Sequence, residues 1–117
     1  MMRTEEFPRG RWEDYLSELT REAKDHPVRV RVESQTLGDQ VLVDGLHLVA
    51  ISLEAKGTAK GGIEIITEQP DGTHLTHLIP DPERIYLARE ESKEDVYLDI
   101  EDRDGAKTLV FLHQGKC

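Results

Sequence analysis

A chain of 117 residues with 33% charged and 37% hydrophobic side chains is one domain's worth and carries too many apolar residues for a disordered polymer. Its net charge of −9 is uneven: residues 1–31 hold seven basic and seven acidic groups, leaving eight basic and seventeen acidic beyond them. Such a surface repels phosphate backbones and anionic lipid, and a single cysteine, Cys117, excludes an internal disulfide.

The opening MMRTEEF has no apolar core of a signal peptide, and no apolar run reaches the length of a membrane span. The expectation is a cytoplasmic protein with no membrane association. The chain contains no asparagine. A GC-rich genome gives that composition, and so does adaptation to heat or salt.

The first predicted element is a helix over about 8–25. Trp12, Tyr15, Leu16, Leu19 and Ala23 form one stripe at the 3.6-residue period. Pro8 suits the first helical position, and Pro27 ends the helix. Glu18 and Glu22 fall on the solvent side, with Arg21 placed to pair with Glu18. Trp12 is the expected anchor of the helix.

The remainder, about 28–113, reads as strands. In VRVRVES the residues Val28, Val30 and Val32 share one face and Arg29, Arg31 and Glu33 the other. QVLVDGLHLVAISLEA holds Asp44-Gly45 between apolar runs, which predicts a hairpin turn there. KGTAKGG reads as a loop, GIEIIT as a strand and EQPDG as a turn. THLTHLI, RIYLARE, DVYLDIE and KTLVFLH complete the set, with turns at PDPE and DRDG and an acidic loop at ESKED. The fold class is therefore α+β, mostly β. One N-terminal helix packs on a seven- or eight-stranded antiparallel barrel or sandwich, as a single domain over 1–117. GIEIIT carries one charge, Glu64, and no proline. At a sheet edge it would template a dimer.

The pieces TEEFPRGRWEDYL, GLHLVAIS, HLTHLIPDPERIYL and YLDIEDRDGAKTLVF resemble a family of small bacterial domains of unknown function. The most specific piece is the E-x-P-R-x-x-W opening made by Glu6, Pro8, Arg9 and Trp12. The resemblance implies one intact domain and brings no activity with it.

Chemistry-bearing residues are few. His74 and His77 stand three apart beside Thr73 and Thr76. On a helix that spacing would share a face, as in zinc-binding pairs. On a strand it places His74 and Thr76 on one side and Leu75, His77 and Ile79 on the other. His74 is then solvated and His77 partly buried near the Pro80 turn. A third metal ligand would have to be His47, His113 or a carboxylate, so no metal and no cofactor is expected. GTAKGG lacks the order of a phosphate-binding loop. DIEDRDG lacks the first and twelfth carboxylates of a calcium loop. No GxSxG elbow exists, and the eight acids between Glu90 and Asp104 read as a solvated face.

Among six aromatic residues, Trp12 and Tyr15 are claimed by the helix stripe. No stacking platform for nucleic acid is visible, and the net charge disfavours that partner. The preferred reading is a non-catalytic domain that binds a protein partner or itself. The alternatives are a small-ligand site or enzyme centred on His77 with Thr76, His74 and His47, and then a small nucleic-acid-binding barrel.

Overall fold

The computed structural model describes residues 2–54, 61–90 and 95–112. The loop GTAKGG (in its residues 57–60), most of ESKED, His113 and Cys117 lie outside the described residues. The described chain runs β1 (Met2–Glu6), a 3-10 turn (Arg9–Arg11), α1 (Trp12–Ala23), β2 (Pro27–Ser34), β3 (Gly38–Leu53), β4 (Ile63–Glu68), β5 (His74–Ile79), β6 (Pro82–Glu90), β7 (Asp95–Asp102) and β8 (Lys107–Leu112).

The helix stripe is as expected. Trp12, Leu16 and Ala23 are buried, Tyr15 and Leu19 pack against the core, and Glu18 and Glu22 are exposed. Its start differs. Pro8 precedes the 3-10 turn, and the α-helix begins at Trp12. Arg11, just before the helix, pairs with Asp14 at 3.3 Å. Asp25 ends the segment with φ +69°, the left-handed conformation that terminates helices. Residues 2–6, which have no strand pattern, form β1 by pairing with β6 from Glu6↔Tyr86 to Met2↔Glu90.

All eight strands join one antiparallel sheet in the order β1-β6-β7-β8-β2-β3-β4-β5. β5 and β6 are far apart in that order, yet only Pro80 and Asp81 connect them. The sheet therefore curls, and both of its ends feed one core. Ile63 and Ile65 of β4, Val28 and Val30 of β2, Leu98 and Ile100 of β7, and Ile85 of β6 lie in the same buried cluster as Trp12 and Leu16.

The curl comes from β3. Asp44-Gly45 does not turn the chain; β3 runs straight through it. Val28 pairs with Leu46 and Arg29 with Asp44, so Gly45 is an extra residue, held at φ +92°. This is a β-bulge, which bends and twists its strand. A second register shift skips Leu42 and a third skips Val49. The real hairpin lies at Gln35–Leu37, where Ser34 pairs with Gly38. The sixteen-residue β3 can thus serve β2 with its first half and β4 with its second. Past His47 its edge outruns β2. There Leu48 exchanges backbone hydrogen bonds with Asp25 and His26, and the Thr20 hydroxyl both donates to the Ile51 carbonyl and accepts from the Ile51 N–H, each at 3.0 Å.

GIEIIT, as β4, sits between β3 and β5. Its backbone groups are already paired, so the expected dimer through that strand is ruled out. The edges are β1 and β5.

Candidate functional site

The strand register decides the histidines. Ile65, buried, faces His77, and Glu68, exposed, faces His74. His77 therefore points to the core side with Leu75 and Ile79, while His74 and Thr76 point outward, as the alternation requires. His77 is half-buried, and that burial alone draws its pKa below the ordinary imidazole value. His47 faces Glu68 from the other side, so His47, Glu68 and His74 form one exposed row across three strands. His47 and His77 end on opposite faces of the sheet and share no cleft. Among the described residues, no group of three His, Cys, Asp or Glu side chains is placed to hold a metal ion. In DRDG, the Asp102 carboxylate accepts from the Asp104 and Ala106 N–H groups, which ties it to the hairpin.

A groove of about 210 Å³ runs between α1 and the β1–β6 pair. Phe7 and Tyr15, edge to face at 4.6 Å between ring centroids, form part of its wall, and Glu5, Glu18 and Glu22 line it.

The outer face of the sheet holds a denser arrangement. Across β6, β7, β8 and β2, the row Ala88–Tyr97–Phe111–Arg29 lies beside the row Tyr86–Asp99–Leu109–Arg31. Ala88 and Leu109 are buried, yet they are not members of the core cluster under the helix. Their cover comes from outer-face neighbours. Tyr97 and Phe111 have ring centroids 5.1 Å apart, and the Arg31 guanidinium lies 5.4 Å from the Phe111 centroid. Both are ordinary attractive geometries for these groups. Val41, half exposed, extends the second row beyond Arg31.

Two polar atoms within this layer are buried without a hydrogen-bond partner: Nε of Arg31 and Oδ1 of Asp99. They flank Leu109 in one row. Arg31 uses Nη2 on Glu33 at 2.9 Å. Asp99 has no such relief. Burial, and then the nearby Glu101 charge, push its pKa up to about 6, against a smaller opposing pull from Lys107. The face is net acidic: Arg29, Arg31, Arg84 and Lys107 stand against Glu6, Glu33, Asp39, Asp44, Asp99 and Glu101.

Two expectations are corrected here. Aromatic side chains do line an outer sheet face, namely Tyr86, Tyr97 and Phe111. Asp99 is not one of a run of solvated acids but is half-buried. The signal was present in the alternation of VYLDIE and TLVFL. Once Val96, Leu98 and Ile100 are assigned to the core, Tyr97 and Asp99 must share the opposite face. The hairpin expected across DRDG already sets Tyr97 beside Phe111 and Asp99 beside Leu109; what local pattern could not show was the placement of β2 next to β8, which brings Arg29 and Arg31 to them.

Comparison with known proteins adds lineage. The model of a family of unknown function (DUF5335) matches residues 3–116, and the chain belongs to that family. An uncharacterized protein of Aquifex aeolicus (strain VF5) is 28% identical over 111 residues, covering 95% of this chain and 93% of the relative. No solved structure matches the chain. Among the described residues, no helix is long and apolar enough to cross a membrane.

Proposed function

We propose that this domain is a protein-binding module whose recognition surface is the outer face of the sheet around Leu109. The observation that carries the reading is the second, small apolar layer on that face. Tyr86, Tyr97, Phe111 and Arg31 gather there over buried Ala88 and Leu109, with no described element packed on them. Tyrosine, phenylalanine and arginine around an apolar centre are the residues that dominate protein interfaces. Asp99 and Arg31 add polar groups that a partner's backbone can pair, and pairing them on binding removes a desolvation cost the free protein bears. The net acidic charge of the face supports a protein partner over a nucleic acid, which selects for a basic footprint.

The reading is tested with a photo-cross-linking amino acid in place of Arg29, on this face, and in place of Glu13, exposed on α1. The expected result is a discrete protein adduct from position 29 alone, lost when Asp99→Lys is added to a chain that still melts cooperatively. No adduct at 29, or the same adducts from both positions, overturns it.

A further inference from the structure

The sheet leaves several lengths of strand with a free side, and they are treated differently. Among the described residues, no strand pairs residues 38–46 of β3 on the side away from β2, but Asp39, Asp44 and the register breaks at Leu42 and Gly45 blunt that edge. The free end of β3 is closed by Asp25, His26 and the Thr20 hydroxyl. The edge strand β1 carries Arg3, Glu5 and Glu6 among its five residues, the charged composition that discourages strand addition. The edge strand β5, HLTHLI, has no carboxylate, lysine, arginine or proline. Among the described residues, no backbone hydrogen bond outside the β4 ladder reaches residues 74–79. Leu75 and Leu78 are each 39% exposed along it.

We propose that β5 pairs antiparallel with β5 of a second copy of this chain, around a two-fold axis that passes through His77. The inference stands apart from the outer-face reading, since it uses a different surface.

Parity restricts the register. Paired residues of an antiparallel ladder project to the same side. A two-fold axis normal to the sheet also keeps core side with core side. Leu75, His77 and Ile79 must therefore meet one another, and His74, Thr76 and Leu78 likewise. The axis then passes through a residue, not between two, and only Thr76 or His77 leaves five residues of β5 paired. An axis at Thr76 sets Leu75 against His77 and His74 against Leu78. An axis at His77 sets Leu75 against Ile79 and Thr76 against Leu78, which matches apolar with apolar on the core side. Pro80, lacking an N–H, bounds the ladder at Ile79. The interface is isologous and closes after two copies.

His77 then faces its own copy. From β4 it is flanked on the core side by Ile63, Ile65 and Thr67, and on its own strand by Leu75 and Ile79, none of them titratable. Among the described residues, no charged group of a packed element acts on it. The second imidazole is thus the one titratable group brought against it, and protonating both opposes the pairing. Acid should loosen the dimer. Salt should tighten it by screening the −9 charge on each copy.

Sedimentation at about 100 μM chain, well above micromolar affinity, should show a dimer at pH 8 that is about tenfold weaker at pH 5.5. Thr76→Lys, at an exposed position, should dissociate it while matching the wild-type thermal melt at dilutions where both are monomers. In a Cys117→Ser background, His77→Cys should form an intermolecular disulfide under mild oxidation and Thr76→Cys should not. A wild-type monomer at that concentration overturns the proposal. So does a dimer indifferent to Thr76→Lys, and so does cross-linking through Thr76→Cys in place of His77→Cys.

Discussion

The Trp12 indole N–H donates to the Phe7 carbonyl oxygen at 3.1 Å, tying the first turn of α1 to the end of β1. Trp12 is 3% exposed and Phe7 5%. The ring serves as packing for the core and as a clamp between helix and strand. Trp12→Ala should therefore cost about 3–5 kcal/mol. Trp12→Phe keeps most of the packing and loses the hydrogen bond, so it should cost about 1–2 kcal/mol. Urea titrations of the three proteins measure both. Native tryptophan emission as red as that of the unfolded chain would contradict the burial.

Thr20 is the second tie. Its hydroxyl pairs both backbone groups of Ile51 on the side where β3 has outrun β2. Thr20→Val keeps the shape and leaves an N–H and a C=O without partners. We expect a loss of about 1–3 kcal/mol, with Thr20→Ser close to wild type. Equal stability of the valine and serine variants would show that water replaces the hydroxyl there without cost.

Much of this architecture is legible from local pattern, and the failures have a common cause. The Trp12–Ala23 stripe and the Val28/Arg29 alternation report which side of each element is buried, because periodicity is set by the backbone itself. Asp44-Gly45 misled because a glycine at positive φ serves a hairpin or a bulge equally well. Only the pairing of Val28 with Leu46 and Arg29 with Asp44 distinguishes them. β1 has no alternating pattern to detect; its place is set by the partner strand β6. GIEIIT and HLTHLI both look like adhesive strands. Which of them lies at the edge is a property of the whole strand order. The outer-face cluster was partly hidden in the same way, since Arg31 of β2 is remote in sequence from the β7–β8 hairpin that carries Asp99 and Leu109.

Metal content follows from the histidine geometry. His47 and His74 lie on either side of Glu68 on the outer face, while His77 projects to the core side. Two imidazoles and one exposed carboxylate in a row lack the closed tetrahedral set that structural zinc requires. Protein purified without a histidine tag should contain well under one zinc per chain by elemental analysis. A value near one, lost on mutating His47 or His74 to alanine, would reveal a site on that row.

Asp99 makes stability depend on pH in a direction opposite to that of most carboxylates. Its pKa is raised from the ordinary 3.8 to about 6, chiefly by burial and then by Glu101. Between those values the native protein holds a proton that the unfolded chain has lost. The stabilisation from this group is therefore complete below the unfolded value and disappears as pH rises through about 6. Above that point a carboxylate charge sits half-buried, with Oδ1 unpaired. A fully buried group shifted this far would cost about 3 kcal/mol at 1.36 kcal/mol per pH unit, but Asp99 is partly solvated, which reduces the expected penalty to about 1 kcal/mol. Asp99→Asn removes the charge and keeps the shape. The variant should be more stable than wild type by about 1 kcal/mol near pH 8, and the difference should approach zero near pH 3, below the unfolded value, where Asp99 is mostly protonated in both states. Urea titrations of the pair across that range isolate the one group, because every other titration is common to both proteins. A difference that stays constant with pH, or one that favours wild type at high pH, would mean that the Asp99 carboxylate is paired in solution and not stranded in the outer layer.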